Sequence, residues 1–286
     1  MTTMPAIPTK LYEAFEKIRL GRVDEGVRLF DRIEGFETAK AIPLAELSYF
    51  RHDWKRGIQF SLDFLASKTD WETVRYHVDG YQREHLELIL IATCQIGCWK
   101  ESRTALEELK RNAPPNQCFR SNYEKYQIAL SLIADPENTM RRLTESKPKP
   151  KTKGTIDQDY LEQRIKRVMP ERKLYWRSRK NSVSVDGLAS YAFSKALTED
   201  HLVFYERYID RLEDAKSHTE AAKSYISLER MKEAKEAIRK YMRCWEFKEP
   251  FQVAPIVLFT DHELWPILSD RHFTESLLTI PHHRES

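Results

Sequence analysis

The sequence predicts an all-α protein built as stacked helical hairpins, and three observations carry that expectation. A short phrase recurs four times: Leu20-Gly21-Arg22-Val23-Asp24-Glu25-Gly26, Arg51-His52-Asp53-Trp54-Lys55-Arg56-Gly57, Ile96-Gly97-Cys98-Trp99-Lys100-Glu101-Ser102 and Leu228-Glu229-Arg230-Met231-Lys232-Glu233-Ala234. Each copy is a polar turn, a large apolar anchor, two charged residues and a small residue, and such self-similarity marks repeat architectures. Apolar residues around the copies return at helical intervals. Charged residues make up 32% of the chain against only eight glycines, and Ser182-Val183-Ser184-Val185-Asp186 is the one tidy alternating run.

Taken in order, each phrase sits between two amphipathic segments. Leu11 to Ile18, Leu44 to Phe50, Leu86 to Cys94 and Ala221 to Ile226 precede the four copies. After the copies run the rows Val23, Val27, Phe30, Ile33; Trp54, Ile58, Leu62, Leu65; Trp99, Ala105, Leu106, Leu109; and Met231, Ala234, Ile238, Tyr241, Trp245. Pro114 and Pro115 close the third, because proline cannot continue a helix. Gly26, Gly57, Ser102 and Ala234 are small enough to let the two helices of a pair approach closely.

The phrase resembles the second half of the tetratricopeptide repeat, a 34-residue helical hairpin with a glycine turn, an apolar anchor, a small residue and a further large apolar residue. Gly21, Val23, Gly26 and Phe30 follow that order, as do Gly97, Trp99, Ser102 and Leu106. The first-half tryptophan of the family pattern is missing, with Ala14, Ala45 and Ala222 at its small-residue position, and His52 and Glu229 replace the turn glycine in two copies. The copies are spaced by 31, 45 and 132 residues, so the array is degenerate. The resemblance implies a right-handed superhelix of hairpins, a tetratricopeptide-like α-solenoid.

Charge divides the chain. Between Arg141 and Lys180 there are fourteen Lys or Arg against five Asp or Glu, a balance of +9 in a chain whose total is +3, so the remainder carries −6. The stretch opens on Lys147-Pro148-Lys149-Pro150-Lys151-Thr152-Lys153-Gly154, which reads as an extended, solvated linker. The expected organisation is an N-terminal half at residues 1–146, a linker at 147–154 and a C-terminal half at 155–286. In the last, Tyr160, Leu161, Ile165 and Val168 form a row that Pro170 ends. Leu188 to Ala196 and Leu202 to Leu212 form a hairpin about Thr198-Glu199-Asp200. Asp261 to Leu278, with its Trp265-Pro266-Ile267-Leu268, resembles the terminal segment of bacterial tetratricopeptide-like proteins and would cap the last repeat.

The first residues lack the apolar core of a secretory signal, and the longest apolar stretch, Leu88 to Cys94, is far shorter than the roughly 20 residues of a membrane span. The expected location is the cytoplasm, with no membrane partner. Cys94, Cys98, Cys118 and Cys244 form no CxxC or metal-ligand pattern. Phosphate-binding glycine loops, nucleophile elbows and zinc motifs are missing, so no cofactor and no metal is expected. His77, Asp79, Tyr81, Glu84 and His85 cluster in sequence, but they read as a solvated helix surface. With no activated pair standing out, catalysis is not expected.

Two surfaces are candidate partner sites. The family register puts Phe15, Arg19, Glu46, Tyr49, Glu87, Gln95 and Lys223 on the first helices, lining a concave groove of mixed charge suited to a protein ligand; Phe15 and Tyr49 serve equally as core. The basic segment offers Arg164, Lys166, Arg167, Arg172, Lys173, Trp176, Arg177, Arg179 and Lys180. Cations interleaved with aromatics suit an acidic protein or a nucleic acid, and suit a solvated helix no less. The reading is a non-catalytic protein-binding module, foremost an immunity protein that neutralises a cognate toxin by direct binding, an acidic toxin domain being one expected partner. The alternatives are an adaptor or chaperone scaffold for peptides and a nucleic-acid-binding regulator using residues 141–180.

Overall fold

The computed structural model describes residues 9–66, 134–145, 148–152, 154, 163, 189, 190, 192–194, 196–247 and 251–281. Among these the secondary structure is helical, with no strand. In chain order the elements are α1 (Thr9–Arg19), α2 (Val23–Asp31), α3 (Glu37–Phe50), α4 (Trp54–Ala66), α5 (Pro136–Glu145), α6 (Thr198–Tyr208), α7 (Ala215–Ser227), α8 (Met231–Cys244), α9 (Trp265–Leu268) and α10 (Arg271–Leu277). Short 3-10 turns occupy Ile209–Arg211, Ile256–Thr260 and His262–Leu264.

The chain divides into two compact units. One comprises Met1–Ser146 with Glu246–Ser286, the other Lys147–Trp245. The sequence division put residues 246–286 in the C-terminal half, but here they belong with the N-terminal hairpins. A terminal apolar segment is free to cover whichever exposed face it fits best, and sequence adjacency does not decide which.

In the first unit, α1 and α2 form a hairpin whose turn is the first copy of the phrase. The Gly21 and Arg22 amides donate to the Ile18 and Lys17 carbonyls at 2.8 Å each, closing α1 with a residue in the left-handed region, Gly21 at φ 78°. A Cβ on Gly21 would lie 2.5 Å from the Thr279 carbonyl oxygen, so the position requires glycine for space as well as for φ. At Gly26 a Cβ would lie 2.4 Å from Ile18 Cγ1 and 2.6 Å from the Ala14 carbonyl oxygen, which is the close approach expected of the small residue.

The second hairpin, α3 and α4, repeats the turn with His52 at φ 52°, the Asp53 amide donating to the Ser48 carbonyl at 2.9 Å. Helix α3 begins seven residues before the Leu44 expected, carrying Pro43 within it. Apolar rings from both hairpins meet the C-terminal segment: Phe15 lies 5.4 Å from Phe30 and 5.6 Å from Phe251, and Phe50 lies 5.0 Å from Phe259. His52 stacks on Trp54 and bonds through Nε2 with the Leu268 carbonyl, which it donates to at 3.0 Å. The segment expected to cap the last repeat therefore packs on α3.

In the second unit, α7 and α8 form the third described hairpin. Glu229 takes φ 62°, the Arg230 amide donates to the Tyr225 carbonyl at 2.9 Å, and Ala234 is fully buried. Helix α6 packs beside α7. Thr198, Glu199 and Asp200 form its first turn instead of the connection before it, with the two acids placed where the helix dipole favours negative charge. Residues 148–152 have no regular structure, as their prolines require, yet they are not free of the fold: the Lys151 amide donates to Thr198 Oγ1 at 2.7 Å and the Thr198 amide donates back to the Lys151 carbonyl at 3.3 Å.

Candidate functional site

Four of the expected groove residues lie on the first helices of the two N-terminal hairpins, Phe15 and Arg19 one turn apart on α1, Glu46 and Tyr49 on α3. They do not line an open surface. Phe15, Glu46 and Tyr49 are fully buried, and the chain's own residues 251–254 lie against this row. Arg19 donates from Nε and Nη2 to the Gln252 carbonyl at 3.1 and 2.9 Å. Its Nη1 donates to Glu16 Oε1 at 3.1 Å, and the guanidinium carbon sits 4.1 Å from the centre of the Phe247 ring. Glu46 Oε2 accepts from the Val253 and Ala254 amides at 2.6 and 3.0 Å. Phe15 supplies the aromatic wall against Phe251.

The arrangement is a clamp on irregular main chain, residues 251–254 being neither helix nor strand. A guanidinium holds a carbonyl and a carboxylate holds the next two amides; each bond is assisted by charge, and the two to Glu46 are buried. Tyr49 takes no part in it: its hydroxyl shares a 2.9 Å bond with Ser61 Oγ, and burial pushes its pKa above the ordinary tyrosine value, so it keeps its proton. The expectation that Phe15, Glu46 and Tyr49 meet an external partner is therefore corrected for this unit, because the chain fills the site itself. Lys223 is half-buried on α7 in the second unit. Glu87, Gln95 and all nine residues of the basic patch lie outside the described residues, as do His77 and His85.

The second unit has a polar interior that the sequence did not announce. His201 on α6 bonds through Nδ1 with Ser224 Oγ at 3.0 Å, and its buried Nε2 has no hydrogen-bond partner. Burial, aided by the Lys151 charge, lowers its imidazole to about 4. One turn on, Tyr205 Oη and His218 Nδ1 are 2.7 Å apart, and His218 Nε2 is 3.5 Å from Cys244 Sγ on α8. The three residues stand 13 and 26 positions apart in sequence. Helical periodicity marks them only as members of three apolar faces, so the sequence signal for the cluster was weak.

Among the described residues no helix is long and apolar enough to cross a membrane. Comparison with protein-family models, with curated proteins and with solved structures returns no match to this chain.

Proposed function

We propose that the chain is a non-catalytic protein-binding module, a tetratricopeptide-like superhelix, whose specific role is that of an immunity protein neutralising a cognate toxin by direct docking. The observation that supports binding is the clamp: hairpins α1–α2 and α3–α4 grip a non-helical polypeptide segment through Arg19, Glu46 and Phe15. In this chain the gripped polypeptide is residues 251–254, so the external partner docks elsewhere, with the basic segment at 141–180 as the proposed contact. A cluster of cations there would speed capture of an acidic toxin domain. The second reading, an adaptor for extended peptides, is favoured by the same clamp, because Arg19 and Glu46 hold residues 252–254 through main-chain carbonyl and amide groups that any peptide carries.

Affinity capture of the tagged chain from its native host at moderate salt tests the proposal. One stoichiometric protein with a toxin-like domain supports immunity, and a spread of unrelated polypeptides moves the role to the adaptor. Nucleic acid that is lost as salt rises overturns both. Against an acidic toxin, Arg172, Lys173 and Arg177 changed together to Glu are expected to slow association and flatten its salt dependence. Unchanged rates would remove the patch from the mechanism.

A further inference from the structure

Cys244 is the last residue of α8, half-buried and carrying a reduced thiol, with His218 Nε2 3.5 Å from its sulfur. We propose that Cys244 and His218 form a nucleophile–base pair, making Cys244 a site of covalent modification by small uncharged α,β-unsaturated carbonyl compounds.

Three features of the fold carry this. The first is the orientation of the base. Tyr205 Oη lies 2.7 Å from His218 Nδ1, and the two rings meet edge to face at 5.7 Å, so the imidazole is held from its far side. Burial pushes the Tyr205 hydroxyl above its ordinary value, so it keeps its proton. When it accepts Nδ1–H, the Nε2 lone pair faces the thiol, which is the tautomer a base needs.

The second is burial. His218 is buried while Cys244 is partly exposed, so the base is shielded from water and the residue carrying the thiol borders solvent. The third is position at a helix C-terminus, where the dipole opposes a standing thiolate. Reactivity then depends on proton removal as the bond forms. Sulfur bonds to the β-carbon, the π pair moves to the α-carbon, and the thiol proton passes to Nε2 and on to the α-carbon. The thioether product contains every atom of both reactants, and no oxidant or leaving group is involved. The adduct would sit beside Trp245, where the second unit ends.

The full chain is treated with acrylamide at pH 7, quenched at intervals and digested, and labelling of the Cys244 peptide is followed by mass spectrometry. A synthetic peptide of residues 239–248 gives the unassisted rate. The expected result is that Cys244 in the folded chain reacts at least about tenfold faster than the peptide. In His218→Gln, with circular dichroism confirming the fold, the rate is expected to drop to that of the peptide, and added imidazole to restore part of it. A folded-chain rate at or below the peptide rate overturns the proposal, and that comparison holds even where the variant fails to fold. A fast rate unchanged in folded His218→Gln also overturns it.

Discussion

Gly21, His52 and Glu229 occupy the same place in three hairpins and take the same left-handed conformation, at φ 78°, 52° and 62°. Only the first is glycine, so the other two hold a backbone that costs a side-chain-bearing residue about 1 kcal/mol. Glu229→Gly is accordingly expected to raise stability by up to about 1 kcal/mol, read as a higher urea midpoint. Gly21→Ala is expected to lower it by about 2 kcal/mol or more, since strain adds to the clash with Thr279. Equal midpoints for Gly21→Ala and the parent chain would sink that account. At Glu46 the acceptor matters more than the charge. Glu46→Gln keeps a carbonyl-type oxygen for the Val253 and Ala254 amides and is expected to cost about 1 kcal/mol, whereas Glu46→Ala orphans two buried donors and is expected to cost about 3 kcal/mol.

At the scale of elements, the pairing of α6 with α7 gives the second unit a pH dependence. His201 is lowered to about 4 in the folded chain, against about 6.5 when unfolded. The unfolded chain therefore takes up its proton first. The contribution of neutral His201 is complete above about pH 6.5, falls as pH drops towards 4, and reaches a loss of about 3 kcal/mol. Chemical denaturation at a series of pH values is expected to show that decline, flattened in His201→Gln. An equally steep decline in the variant would assign the effect to other groups. For the pairing of residues 251–281 with α1 and α3, truncation after Phe247 is the informative change. It exposes Phe15, Glu46 and Phe50, and is expected to produce dye-binding apolar surface and a lost cooperative transition for the first unit. A truncated chain that unfolds like the parent would show the segment to be dispensable.

For the whole molecule, one unit is continuous in sequence and the other is not. A fragment of residues 147–245 is expected to fold alone, with helical circular dichroism and a cooperative melt. A fragment of residues 1–146 is expected not to, because the segment that fills its groove is missing. The reverse pattern would contradict the assignment of residues 246–286 to the first unit.

The sequence by itself determined what is local: the hairpin turns, the close approach at Gly26, and helical rows that cannot serve as strands. These depend on residues within about one helical hairpin of each other, where spacing alone says who meets whom. The tertiary structure decided what is distant. Arg19 meets Gln252 across 233 positions and Glu46 meets Val253 across 207, so the groove that the register exposed is filled by the far end of the chain. The thiol, imidazole and phenol of Cys244, His218 and Tyr205 come together only because three helices pack side by side. Apolar periodicity says that a face will be covered, but the covering segment is chosen by shape and hydrogen bonds across the fold, which no spacing along the chain records.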